Sequence, residues 1–452
     1  MNNANLLTGC ELHLHVLGAF YAEDIFELGK DHYQSIDWDQ WGFVDAYEGA
    51  FCSRPDPIKI FEDALHDKQA GFERFKKLHV YSEEDGGDFG RWEVKGKFGS
   101  SVWTHYRKMG ESGDRMLMER MLTTHRTQGL DYVEYRCGSG LDGWLYWHRI
   151  CAEMLQAASD DGFTARYILS IPRYAPMEAY ELTQTLLDDN PELAPTIVGV
   201  DFATMEEGFP PKNFKPFFDA VAKGNQDKPE RALDIVYHVG ESYFDKSLES
   251  ASRWCHEIAE MGAKRIAHAI ALGLDPAVAI ARRPHAHELE LVSERLDQIE
   301  YDLHHQDRLA AYGIEIDIAS LTDEKGALLK MAPEDKVDRP YDENRLEQVR
   351  RRQTFVLDRL VELGTVIEVC PTSNLRIGGV PDPSAHPIHR FLKSNVNLII
   401  SSDDPGNFDI TQASEIEWVL NHTDMTLDDL EKRLGDPRRF RLGQNRDSSH
   451  MG

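Results

Sequence analysis

The sequence predicts an α/β protein built as a (β/α)8 TIM barrel, with helical insertions after strand 1 and between strands 6 and 7. Three observations predict it: eight short, β-rich apolar runs, longer stretches of helical periodicity between them, and metal-ligand-type side chains at the ends of several runs. Parallel strands buried on both faces read as continuous apolar runs rather than alternating ones, and these eight do.

In chain order the runs are CELHLH (10–15), LDYVEYR (130–136), ARYILSI (165–171), TIVGVDF (196–202), LDIVYH (233–238), KRIAH (264–268), TVIEVC (365–370) and VNLIISS (396–402). A doubly wound open sheet accounts for the alternation equally well. The polar residues separate the two: His13 and His15 close the first run, His238 the fifth, His268 the sixth, and Asp403 follows the eighth. A barrel brings all these ends to one mouth, whereas an open sheet leaves its first and eighth strands far apart.

Period-2 spacing sends His13 and His15 to the same face of their strand, into the barrel lumen. The HAH at 285–287 has the same spacing but lies in a charged, helix-like stretch, where the two rings diverge and read as solvent-facing. Three imidazoles and one carboxylate suit Zn2+ or a similar divalent ion, with a position left for water. Adjacent aspartates repel unless a cation or a donor-rich ligand holds them, so Asp403 coordinating a metal would leave Asp404 to face a ligand.

A chain of 452 residues is long enough for one large α/β domain with insertions, read here as residues 1–444, followed by a polar, flexible tail at 445–452. The formal net charge of −28 argues against a nucleic-acid surface, which needs clustered Lys and Arg. Six cysteines without a CxxC pair suggest reduced thiols rather than a disulfide framework or a thiolate metal site. No basic leader precedes an apolar stretch, and no apolar run approaches the roughly 18 residues of a membrane span, so a soluble, cytoplasmic protein with no membrane partner is expected.

ELHLHVLGA (11–19), HVGE (238–241), RIAHAIAL (265–272), EVCPTSN (368–374), HPI (386–388) and SSDDPGNF (401–408) resemble, in order and in strand position, the adenosine/AMP deaminase family of the metal-dependent amidohydrolase superfamily. The resemblance implies a barrel with one Zn2+ per subunit, or another divalent metal, that hydrolyses the amino group off an adenine ring. It implies His13, His15, His238 and Asp403 as metal ligands. Glu241 would protonate the ring nitrogen beside the attacked carbon, and His268 would orient the attacking hydroxide. Asp404 would hold the imidazole side of the purine. Cys370 is assigned no chemistry, and Ser373 and Asn374 are expected to hold backbone or neighbouring side chains rather than substrate.

Departures from the family pattern bear on substrate. Adenosine deaminases carry an aspartate for the ribose 5′-hydroxyl where this chain has Leu17, which favours an adenine nucleotide or deoxynucleotide of the AMP/dAMP kind over free adenosine. Thr204 stands where a glycine usually lets backbone N–H approach the purine, and Ala267 and Ala269 replace glycines flanking His268. The first insertion, about 20–128, reads as a lid, and its Arg91, Lys95 and Lys97 are candidate phosphate contacts. The second, about 273–364, carries helical spacing and is expected to roof the pocket or form a homo-oligomer, with the RRR at 350–352 on a solvated helix face.

The leading expectation is thus a zinc-dependent deaminase of a small purine nucleotide. The alternatives are an adenosine or deoxyadenosine deaminase of purine salvage, a different amidohydrolase-type hydrolysis, a nucleotide-modifying effector of a bacterial antiphage system, and a non-catalytic scaffold. The other zinc deaminase architecture is excluded, because no His is followed two residues later by Glu and no CxxC exists.

Overall fold

The computed structural model describes residues 6–283 and 289–444; the HAH and the C-terminal tail lie outside them. Eight parallel strands follow one another around a barrel: β1 Cys10–His15, β2 Tyr132–Cys137, β3 Thr164–Ser170, β4 Ile197–Asp201, β5 Asp234–Val239, β6 Arg265–His268, β7 Val366–Val369 and β8 Asn397–Ile400. Each expected run is found, with ends shifted by one or two residues. Closure is made just past β8: His15 N–H donates to Asp403 O at 2.9 Å, and Asp403 N–H donates to His13 O at 3.0 Å. The hydrogen bonds that close the sheet therefore set the register of three residues expected to bind metal.

The first insertion is helical, with α-helices at Ala22–Gly29, Phe43–Phe51, Pro57–His66, Ala70–His79, Phe89–Arg107 and Glu111–Thr127. Phe61 packs in an aromatic cluster with Phe26, Tyr33, Trp38, Phe75 and Phe98. The cluster gives this layer a core of its own, continuous with that of the barrel. The layer is tied to the strand-8 loop by Tyr81 N–H donating to Asn407 O at 2.7 Å. Arg91, Lys95 and Lys97 lie on helix Phe89–Arg107, capped by Asp88, whose carboxylate accepts from Arg91 N–H.

The second insertion contributes helices Val292–His304, Ile318–Leu328 and Glu343–Leu363, with an antiparallel pair Leu289–Leu291/Lys336–Asp338 that helical spacing did not announce. It docks on helix Leu248–Met261, which follows β5, through Arg253–Glu294 and Arg345–Glu249. The three consecutive arginines do not share one solvated face: Arg351 is exposed, Arg350 half-buried and Arg352 buried. A helix turns about 100° per residue, so Arg350 reaches Asp275, Arg351 caps the Gly313 carbonyl, and buried Arg352 forms a two-point bond to Asp302 at 2.6 and 2.9 Å.

Candidate active site

The C-terminal strand ends bring together every residue expected to bind metal. His13 Nε2 lies 3.3 Å from His15 Nε2 and 3.1 Å from Asp403 Oδ1. His15 Nε2 lies 3.3 Å from His238 Nε2 and 3.3 Å from Asp403 Oδ1. Tetrahedral ligands with bonds of about 2.0–2.1 Å stand roughly 3.3–3.4 Å apart, so these spacings fit a divalent ion at their centre. His268 stands further back, its Nε2 3.9 Å from Asp403 Oδ2 and 3.8 Å from Glu241 Oε1.

The outer nitrogens fit the same reading. His13 Nδ1 sits 2.8 Å from Glu368 Oε2, and His238 Nδ1 3.0 Å from Asp201 Oδ1. His268 Nδ1 sits 2.9 Å from Asn374 Oδ1. A proton held on each Nδ1 leaves the Nε2 lone pair directed inward, the arrangement that metal-binding histidines adopt. Asp403 is oriented from its other oxygen by Ser373 Oγ, which donates at 2.7 Å. Ser373 and Asn374 therefore act on neighbouring side chains, as expected.

Beneath the histidines lies a buried charge layer that sequence reasoning missed. Arg136 reaches Glu368 at 2.6 Å and Asp201 at 3.4 Å, while Arg265 bonds Glu134 and, at 2.7 Å, Glu368. All five side chains are buried. A signal was present, since charged residues inside otherwise apolar strands need partners; the sequence does not say which. Burial alone would raise Glu368, but Arg136 and Arg265 outweigh it and hold the carboxylate well below its usual range.

Charge is distributed unevenly among these side chains. Burial and Arg136 push His13 down, yet Asp403 and Glu368 win and raise it to about 9; His15, dominated by burial, falls to about 3. The two aspartates diverge as well. Asp403, despite burial, is held low by His13 and its other imidazole neighbours, whereas burial first and the Asp403 charge second push Asp404 well above the carboxylate range. Asp404 makes no side-chain cap to the helical turn after it, and its carboxyl packs against Gly18: a Cβ there would lie 1.7 Å from Oδ1.

Three residues here occupy left-handed backbone: His268 at φ +66°, Ala269 at φ +48° and Asp403 at φ +65°. Such conformations cost a non-glycine residue of order 1 kcal/mol and persist where the surroundings impose them. Ala269 has no polar side chain to compensate. Ala269→Gly is therefore expected to raise the denaturant midpoint by an amount equivalent to about 1 kcal/mol while leaving His268 in place. Thr204 also lies at φ +73° and is exposed, so glycine's usual place there is explained by backbone conformation. Leu17, two residues past His15, is 54% exposed.

Glu415 supports the turn that carries Ser373 and Asn374, accepting from Thr372 N–H and from the Thr372 hydroxyl. Burial outweighs these donors and raises Glu415 to about 7. A carboxyl whose pKa is higher folded than unfolded contributes stability below its unfolded value, near 4.5, and that contribution fades as pH rises through 7. Glu415→Gln is expected to flatten that decline between pH 5 and 8 and to add about 2–3 kcal/mol at pH 8, read by urea unfolding across pH.

Of the three cations of the first insertion expected to meet phosphate, Arg91 and Lys95 are engaged internally. Arg91 donates to Asp85 O and Ala50 O, each at 2.8 Å. Buried Lys95 donates to Val80 O and pairs with Asp85 at 2.6 Å. These bonds hold the first insertion's own turns together.

The family model described as adenosine deaminase matches residues 345–434, the segment carrying Glu368, Ser373, Asn374, Asp403 and Asp404. An adenine deaminase of Rhizobium leguminosarum bv. trifolii is 47% identical over 62 residues, 14% of this chain. The matched stretch spans about a fifth of that relative's length, 19%. Among solved structures, an amidohydrolase from Burkholderia ambifaria with bound Zn superposes with a TM-score of 0.54 at 13% identity, covering 99% of this chain and 90% of that one. The N6-methyl-AMP deaminase from Arabidopsis thaliana superposes with a TM-score of 0.54 at 13% identity, covering 99% and 96%. These findings bear out the resemblance to the adenosine/AMP deaminase family, and the fold likeness extends over the whole barrel.

Proposed function

We propose that the protein is a metal-dependent hydrolytic deaminase that converts an adenine nucleotide or deoxynucleotide, of the AMP/dAMP kind, to its hypoxanthine form with release of ammonia. The observation that carries the reading is the group His13, His15, His238 and Asp403, in which His15 Nε2 stands 3.3 Å from His13 Nε2, His238 Nε2 and Asp403 Oδ1 and His13 Nε2 stands 3.1 Å from Asp403 Oδ1, beside Glu241, His268 and Asp404.

Those four residues would hold one divalent ion, Zn2+ by the chemistry of the donor set. When bound, such an ion supplies Lewis acidity that brings the pKa of water toward neutrality. Glu241, whose side chain is 23% exposed at the mouth, supplies a proton to the ring nitrogen beside the amine-bearing carbon. His268, fixed through Asn374, points its Nε2 between Glu241 and Asp403 and orients the attacking oxygen. Asp404, held protonated by burial and by Asp403, donates to the purine's imidazole nitrogen. The two aspartates thereby divide the work between a cation and a purine.

Leu17 supports the nucleotide form of the substrate, because an aliphatic side chain at that position neither accepts from a 5′-hydroxyl nor repels a 5′-phosphate. The internal engagement of Arg91 and Lys95 favours a second reading, deamination of adenosine or adenine. The test is ammonia release and the adenine-to-hypoxanthine absorbance change on adenine, adenosine, deoxyadenosine, AMP, dAMP and ATP. Preference for AMP or dAMP upholds the nucleotide reading; preference for adenosine or adenine replaces it with the second, and turnover of none overturns the deaminase.

A further inference from the structure

A second group of metal-ligand-type side chains lies away from the barrel mouth, where helix Leu248–Met261 meets the second insertion. His256 and Glu260 are four residues apart on that helix, so they project from one face. His305 follows helix Val292–His304, and one ligand atom from each of the three residues falls within 4.8 Å of the others. The His256 and His305 ring centroids are 5.3 Å apart, the same spacing as His15 and His238 in the barrel quartet.

The hydrogen bonding of the group is incomplete in a specific way. His256 is fully buried, and its Nδ1 is engaged by the Tyr301 hydroxyl at 2.7 Å. Its Nε2 faces Glu260 Oε1 at 3.3 Å, and among the described residues no partner meets it in good hydrogen-bond geometry. That distance suits two ligands of a shared ion. An Nδ1–H donated to the Tyr301 oxygen leaves the Nε2 lone pair facing Glu260, the orientation a metal-binding histidine needs. His305 is 5% exposed, and among the described residues its ring makes no hydrogen bond; its ring neighbours are His256, Tyr301, His304 and Phe355. Glu260, 38% exposed, opens the group to solvent.

We propose that His256, Glu260 and His305 form a second divalent-cation site, taking Zn2+ or a comparable borderline ion with water completing the shell, and that the ion clamps the insertion to the barrel's outer helix. Two imidazoles and a carboxylate are the donor set such ions select. The site joins two segments whose ligands lie 45 and 49 residues apart in sequence, so binding stabilises the docked arrangement by mass action.

The test is zinc stoichiometry on the full-length protein, stripped with chelator, reloaded with excess zinc sulfate, desalted, and assayed by elemental analysis and thermal unfolding. Glu260→Gln and His305→Ala avoid the fully buried His256. His13→Ala separately removes a barrel ligand. The parent is expected to hold two equivalents, with Glu260→Gln and His305→Ala each one fewer and showing a smaller zinc-induced rise in Tm. His13→Ala is expected to lose the other equivalent and keep the Glu260-dependent rise. If the barrel retains no zinc, the parent holds one and Glu260→Gln none, so failure at the barrel and failure here are distinguishable. Equal stoichiometry and equal Tm shifts in parent, Glu260→Gln and His305→Ala overturn the proposal.

Discussion

Glu241→Gln is expected to lower deaminase turnover by about 10³-fold, within the 10²–10⁴ range that a positioned proton donor supplies, while the protein keeps its fold and its metal. The expectation follows from position. Glu241 lies two residues beyond the end of β5, its Oε1 3.8 Å from His268 Nε2, and no metal-ligand contact depends on it. Glutamine preserves shape and exposure but carries no ionisable proton, so kcat falls while metal content and unfolding midpoint stay unchanged. A Glu241→Gln enzyme with parental kcat would remove Glu241 from the proposed chemistry and leave Asp404 as the remaining carboxyl donor at the mouth.

The second large effect concerns Glu368, which touches no substrate. Glu368→Gln takes the shared counter-charge from Arg136 and Arg265 and the anionic partner from His13 Nδ1. Removing one member of a fully buried ionic group strands the others in low dielectric, at a cost of about 3–5 kcal/mol. Loss of a carboxylate behind a metal-binding imidazole weakens affinity by roughly 10–100-fold. Both effects are readable on one sample, by urea unfolding and by competition for zinc with a chelator. A variant as stable as the parent but poor in metal would show that the arginines find solvent or each other's partners. One with parental zinc affinity would show that Glu368 serves the fold alone.

Local chemistry made much of the barrel legible. Apolar runs at strand length, period-2 histidines and an adjacent pair of aspartates after the last run depend on alternation and on burial on both faces, so they can be read without knowing the neighbours. The positions of His13, His15, His238, His268 and Asp403 at strand ends could be read for this reason, and the structure brings them to one mouth; their expected roles in metal binding and catalysis came from the resemblance.

Partnerships set by position in space were not legible. Arg136 could be seen in its strand, but its link to Glu368 spans 232 residues and exists only once the barrel closes. Arg91 and Lys95 looked free for phosphate because sequence does not show the carbonyls and Asp85 that a folded helix places beside them. RRR looked like a solvated face because three neighbours on a helix point in three directions, and only the packed insertion offers Asp275, Gly313 and Asp302 to receive them.

Sequence by itself determined which residue types stand at the strand ends, because strand periodicity and burial on both faces are properties of the local chain. Tertiary structure alone decided that His268 and Asp403 adopt left-handed backbone, that Gly18 leaves room for Asp404, and that His256 meets His305. Each of these depends on where a distant segment comes to lie, and the free energy that holds it there is distributed over the whole packed barrel.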